Sequence, residues 1–217
     1  MRLRKLASNA AYLTLDWLSI TILSSLFWII AGKLLSTAEL GIVSTAFNLA
    51  VTIQFFTTLG IGVALSKLIS EYDQNNKENE IAKVSRPAIK MLLASNLLMV
   101  VILFAFGGSF STFFKLESNV IWVVAILAIL LSLTNASGYI LLGFQAMKKF
   151  MMTNLFFHIA KVISSAFFVF LGFSFFGPLA GLIIGLTLLL LSRFSIFRIL
   201  KSRVNIKENY REALKYS

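Results

Sequence analysis

Asn154, His158, Lys161 and Ser165 lie inside one apolar stretch, residues 150–172, FMMTNLFFHIAKVISSAFFVFLG. Their spacing is i, i+4, i+7 and i+11, which puts an amide, an imidazole, an ammonium and a hydroxyl on one face of a helix. The stretch is long and apolar enough to cross a bilayer as a single helix. Lys161 is its twelfth residue, roughly 16–17 Å from its start at about 1.5 Å rise per residue. From that depth a lysine stem is too short to carry its charge to the near headgroups. The polar face therefore meets protein or water. In the plainer reading Lys161 is a structural charge satisfied by a neighbouring helix. In the sharper one it belongs to a wet, cationic cavity that handles an anionic ligand, because an ionisable group at membrane depth is a functional-site hypothesis by default.

Other polar groups fall within apolar runs. Asp16 lies about one turn inside the first run, at a depth of about 7 Å if the helix starts near Tyr12. It reads as a structural partner of Lys161, although His158 matches its depth better. Asn48, with Thr45 and Thr52, gives the second run a polar stripe, and Asn135, with Ser132, Thr134 and Ser137, makes the middle of the fourth unusually polar.

The elements that hold these groups follow from composition. Of 217 residues 58% are apolar and 13% charged, and the mean hydropathy is +0.87. This is the composition of a polytopic membrane protein, all-α, not of a soluble domain. The net charge of +11 sits at the ends of apolar runs. It reads as topology signals and contacts with anionic membrane lipids, not as a nucleic-acid footprint. There is no cysteine and a single histidine, which speaks against a disulfide, a thiolate metal site or any metal centre. The first apolar run exceeds signal-peptide length and shows no small-residue cleavage site, so an uncleaved first span is expected.

Six spans are predicted, at about residues 11–35, 40–59 with a short helix at 63–72, 89–107, 119–147, 150–172 and 178–200, forming one lobe over residues 1–217. Residues 40–66 exceed one straight crossing, and Gly60 and Gly62 are expected to break the run as a hinge. Residues 71–87 read as a charged loop or short amphipathic helix. Gly107-Gly108-Ser109 is expected to end the third span, Lys148-Lys149 to form a tight basic turn, and Pro178 to start the sixth helix. Gly177, Gly181 and Gly185 form GxxxGxxxG, a pattern that admits a second helix closely. With six spans both termini share a side. Seventeen of the 20 basic residues fall on that side, against Lys33 and Lys115 on the other. The bias predicts cytoplasmic termini.

The segment LGIVSTAFNLAVTIQFFTTLGIGVALSKLISEY, residues 40–72, resembles the second-helix signature of prokaryotic polysaccharide transporters. These are the oligosaccharide-lipid flippases of the multidrug/oligosaccharidyl-lipid/polysaccharide exporter superfamily. The points of likeness are Leu40-Gly41, Leu59-Gly60-Ile61-Gly62 and Ile69-Ser70-Glu71-Tyr72. The segment YILLGFQAMKKFMMTNL, residues 139–155, looks like that family's junction between the fourth and fifth helices. Members usually carry 12 or 14 spans in two lobes, so this chain looks like an N-terminal lobe, either truncated or a half that pairs with a second six-helix lobe or a second copy.

The resemblance implies transport, not catalysis, at the plasma membrane of a prokaryote, with an anionic lipid-linked oligosaccharide as cargo and no cofactor. Its phosphate or pyrophosphate needs a polar route with cationic partners. Lys161 fits as the point charge, His158 as a phosphate ligand or proton carrier, and Asn48, Asn135 and Asn154 as partners of sugar hydroxyls. If Asp16 binds a coupling cation, the drug-antiporter branch is the closer relative, and the chain is a multidrug exporter lobe. A nonfunctional or accessory membrane fragment is the third possibility. No GxxxxGK[ST] motif is present, so the energy is expected from an ion, potential or substrate gradient. No loop carries a nucleophile and base set.

Overall fold

The computed structural model describes residues 2–58, 60–75 and 77–193. Its elements are α1 (Arg2–Leu34), α2 (Thr37–Thr58), α3 (Ile61–Gln74), α4 (Glu78–Phe114), α5 (Ser118–Gly143) and α6 (Met147–Phe170), followed by α7 (Phe176–Arg193). The described residues contain no strand. All helices except α3 are long and apolar enough to cross a membrane. Hydrocarbon leaves no water for unpaired backbone groups, so a chain of this composition closes its hydrogen bonds within each segment as helix.

The turns are built from specific residues. Ser36 and Glu39 form a capping box at the start of α2: the Ser36 N–H donates to Glu39 Oε2 at 2.7 Å, and the Glu39 N–H to Ser36 Oγ at 3.3 Å. The Ser174 hydroxyl donates to the same carboxylate, which ties the α6–α7 turn to the α1–α2 turn. Between α2 and α3 the chain breaks at Gly60, whose φ of +75° is left-handed. Gly62 has a different task. It sits within α3 where a Cβ would stand 2.1 Å from the Tyr139 ring, so it admits α5. Leu59, the expected end of the second span, lies outside the described residues.

Several boundaries differ from the sequence reading. Residues 71–87 form no long loop: α3 runs to Gln74 and α4 begins at Glu78. Ile81 and Ala82 explain this, since both are buried and Ile81 joins a cluster with Leu65, Ile69, Ile140 and Leu141 that needs the segment helical. Gly107-Gly108-Ser109 does not end the third span. α4 continues to Phe114 and closes at Lys115, φ +53°. A glycine costs a helix about 1 kcal/mol, whereas an unpaired backbone group in hydrocarbon costs several. The basic turn is displaced as well. Residues 144–146 make the turn, and Lys148 and Lys149 fall in the first turn of α6.

α5 is the centre of the bundle, packing against α2, α3 and α4, while α6 packs chiefly on α1. Val120, Val124 and Leu127 of α5 share one core with Val43, Ala46 and Ala50 of α2 and with Leu179, Leu182 and Leu186 of α7. The GxxxGxxxG face of α7 lies on α6. A Cβ at Gly181 would fall 2.0 Å from Ser165 Oγ and 2.7 Å from the Ser165 nitrogen, and one at Gly185 3.3 Å from Lys161 Cβ. Only small residues permit so close a crossing.

Candidate functional site

The buried residues of α6 are Asn154, His158, Lys161 and Ser165. The face read from their spacing is thus the face turned into protein, towards α1 and α7. It does not act as one unit, however, because the neighbouring helices divide it.

The end of the stripe nearest the N-terminus of α6 is a charged network. Asn154 Nδ2 donates to Asp16 Oδ1 at 3.0 Å and to Oδ2 at 3.3 Å. Its Oδ1 accepts from Arg193 Nη2 at 2.7 Å. The amide therefore sits between a carboxylate and a guanidinium with each end facing the group that suits it. Arg193 also donates from Nη1 to the Thr134 carbonyl at 2.9 Å and from Nε to Thr153 Oγ1 at 3.1 Å, and lies over the Phe150 ring at 5.2 Å. Asp16 is 5% exposed and Arg193 2%. Two buried opposite charges bridged by hydrogen bonds are tolerable, whereas either alone is costly. Asp16 is thus engaged by Asn154, and the expected pairing with Lys161 or His158 is not the arrangement seen.

Lys161 stands elsewhere on the stripe. Its Nζ lies 3.4 Å from Ser24 Oγ, 4.8 Å from the Phe27 ring centroid and 5.6 Å from that of Phe157. Two aromatic faces and one hydroxyl from α1 and α6 make a cation–π box that accommodates the ammonium within the lobe. Ser165 faces a narrow apolar gap beside Phe27 and Val169.

The cavity lies beside the charged network. About 300 Å³ in volume and partly open, it is bordered by α1, α5, α6 and α7, and its polar wall is Thr134, Asn135, Tyr139, Asn154, His158 and Arg193. His158 is 7% exposed, and its Nδ1 has no hydrogen-bond partner among the described residues. A buried imidazole nitrogen without a partner is rare and needs a reason. Here the ring borders a volume into which a ligand could bring that partner. Gly138 keeps the wall open, since a Cβ there would stand 3.1 Å from Arg193 Nη1.

Of the residues singled out from sequence, the cavity collects Asn135, Asn154 and His158. Asp16 stands behind it through Asn154. Lys161 and Ser165 are on the same helix face but not in its lining, and Asn48 is exposed on α2, bonded to Ser44 at 3.3 Å. Arg193 is missing from those residues, because in the sequence it reads as the first of the basic tail, residues 193–217, that closes the chain. The signal was present, because Leu182, Leu186, Leu189 and Arg193 step by four, three and four, the spacing of one buried helix face. The rest of that tail lies outside the described residues.

Comparison with known proteins bears on the whole chain. The family described as "Polysaccharide biosynthesis protein" matches residues 6–217. A solved structure titled "Crystal structure of MATE in the bent conformation" is similar with a TM-score of 0.67 at 15% identity, covering 87% of this chain and 44% of that one. The chain therefore spans less than half the length of the protein whose fold it shares. No curated protein matches it significantly.

Proposed function

Because the chain belongs to the polysaccharide biosynthesis protein family, we propose that this multi-pass membrane protein is one lobe of a transporter that flips an anionic lipid-linked oligosaccharide across the plasma membrane of a prokaryote. The observation that carries the reading is the wall of the cavity. A guanidinium, Arg193, and an imidazole with an unpartnered nitrogen, His158, stand beside two amides, Asn135 and Asn154, at membrane depth. Arginine's planar fork suits phosphate oxygens, and amides suit sugar hydroxyls. The incoming phosphate competes with Asn154 and the Thr134 carbonyl for Arg193, so the head is held through bonds that can be exchanged rather than through a fixed trap.

At about 300 Å³ the cavity is at the small end of ligand sites, large enough for the charged linkage and the sugar next to it. The remainder of the head needs space beyond this lobe. A second lobe supplies it. An even number of spans gives both lobes the same orientation, and an axis along the membrane normal faces their cavities together. The basic asymmetry supports cytoplasmic termini. The alternative of a multidrug exporter lobe draws on Phe150, Phe157 and Tyr139 in the same lining, which suit apolar cations.

Export of surface glycan by cells carrying Asn135→Ala or His158→Ala tests the reading. Both variants should lower export far more than protein abundance. Normal export with either, or export loss matched by loss of protein, would remove the cavity from the account.

A further inference from the structure

A second feature lies away from the cavity, where the start of α1 meets the α5–α6 turn. An open groove of about 440 Å³ runs between Asn9 and Tyr12 on one side and Gln145, Lys148, Lys149 and Met152 on the other. Among the described residues its lining carries two cations and no carboxylate. The polar part does not stand alone. Met152 begins a row with Phe156, Ile159 and Ile163, at i, i+4, i+7 and i+11, all exposed along the outer face of α6. This is the reverse side of the helix from the buried Asn154 stripe.

A cationic groove that continues into an exposed apolar row has the profile of an amphiphile with a negative head. We propose that this groove is a binding site for an anionic phospholipid of the surrounding leaflet. Its phosphate rests between Lys148, Lys149 and the Tyr12 hydroxyl, and an acyl chain follows Met152, Phe156, Ile159 and Ile163. Charge complementarity selects the head, and the row on α6 selects a lipid over a soluble anion. The site is independent of the transported cargo.

Native mass spectrometry of the full chain, released from nanodiscs of equal phosphatidylglycerol and phosphatidylcholine, tests it. Phosphatidylglycerol should be retained about 30-fold over phosphatidylcholine, the preference expected from two lysines near a membrane surface. Lys148→Gln/Lys149→Gln should abolish that preference with helicity unchanged. Lys83→Gln/Lys90→Gln, which removes the same charge from exposed positions on α4, should preserve it. Phe156→Ser/Ile163→Ser should lower retention, and inorganic phosphate at equal concentration should not displace the lipid. Equal retention of the two lipids, equal loss in both lysine pairs, full retention in the serine variant, or displacement by inorganic phosphate would each overturn the proposal.

Discussion

Asn154 on α6 holds Asp16 on α1 with hydrogen bonds of 3.0 and 3.3 Å, using the end of its amide that Arg193 does not occupy. One neutral side chain thus joins three helices and keeps two buried charges compatible. The same residue borders the cavity, so the stability of the network and the chemistry of the site are linked through it.

Asn154→Leu should therefore destabilise the lobe by about 3–5 kcal/mol, the cost of leaving buried charges without their partner. Reversible unfolding in detergent measures it. Asn48→Leu, at an exposed position, should stay within about 0.5 kcal/mol. Equal effects of the two substitutions would show that the network does not hold α1 to α6.

The α6–α7 crossing makes a separate demand. Gly181→Ala places a methyl 2.0 Å from Ser165 Oγ and 2.7 Å from backbone, and should cost about 1–3 kcal/mol as the helices move apart. Gly41→Ala, with nothing within 4 Å, is the matched control and should be tolerated. A thermal midpoint lowered by Gly41→Ala and not by Gly181→Ala would contradict the packing.

Gly60 and Gly62 should fail for different reasons. Gly60→Ala meets a left-handed backbone, φ +75°, at a cost of roughly 1–2 kcal/mol. Gly62→Ala meets the Tyr139 ring. Adding Tyr139→Ala should restore part of the stability lost in Gly62→Ala and none of that lost in Gly60→Ala. Rescue of both by the same partner would refute the distinction.

Much of this organisation is legible in the residues themselves. Apolar run length gives the crossing helices, and the i, i+4, i+7, i+11 spacing gives the buried face of α6, because both follow from helix geometry alone. Which helix each polar group meets is not legible. The pairing of Asp16 with Asn154 rather than Lys161 depends on how α1 packs on α6, which spacing along one chain segment does not give. Arg193 escapes notice because its charge resembles the tail that follows it, while its depth depends on where α7 begins, at Phe176, two residues before the expected Pro178. Gly107 and Gly108 mislead in the opposite direction: local propensity favours an end, and the surrounding hydrocarbon overrides it.

The distribution of basic residues predicts an orientation that can be checked on a sequence without cysteine. Ser118→Cys, exposed at the start of α5, should react with an impermeant maleimide added outside intact cells. Asn75→Cys, exposed between α3 and α4, should react only after lysis. The reverse pattern would invert the topology. In the same background, Asn48→Cys and Asn135→Cys, both exposed, should cross-link to a second lobe in native membranes. A chain that stays monomeric there and supports no export would be an isolated fragment.

The central claim is that the cavity wall recognises a negative head through Arg193. The most direct measurement is flipping of a fluorescent pyrophosphate-linked glycolipid and of its uncharged analogue in proteoliposomes holding the chain with its partner lobe. The wild-type protein should move the charged lipid in preference. Arg193→Lys, which keeps the charge but loses the fork, should slow that movement, and Arg193→Gln should reduce it by about tenfold or more, as loss of a charge-assisted hydrogen bond of about 1.5–3 kcal/mol implies. The uncharged lipid should be indifferent to both. Equal transport of the two lipids, or a charged lipid that moves normally in Arg193→Gln, would contradict it.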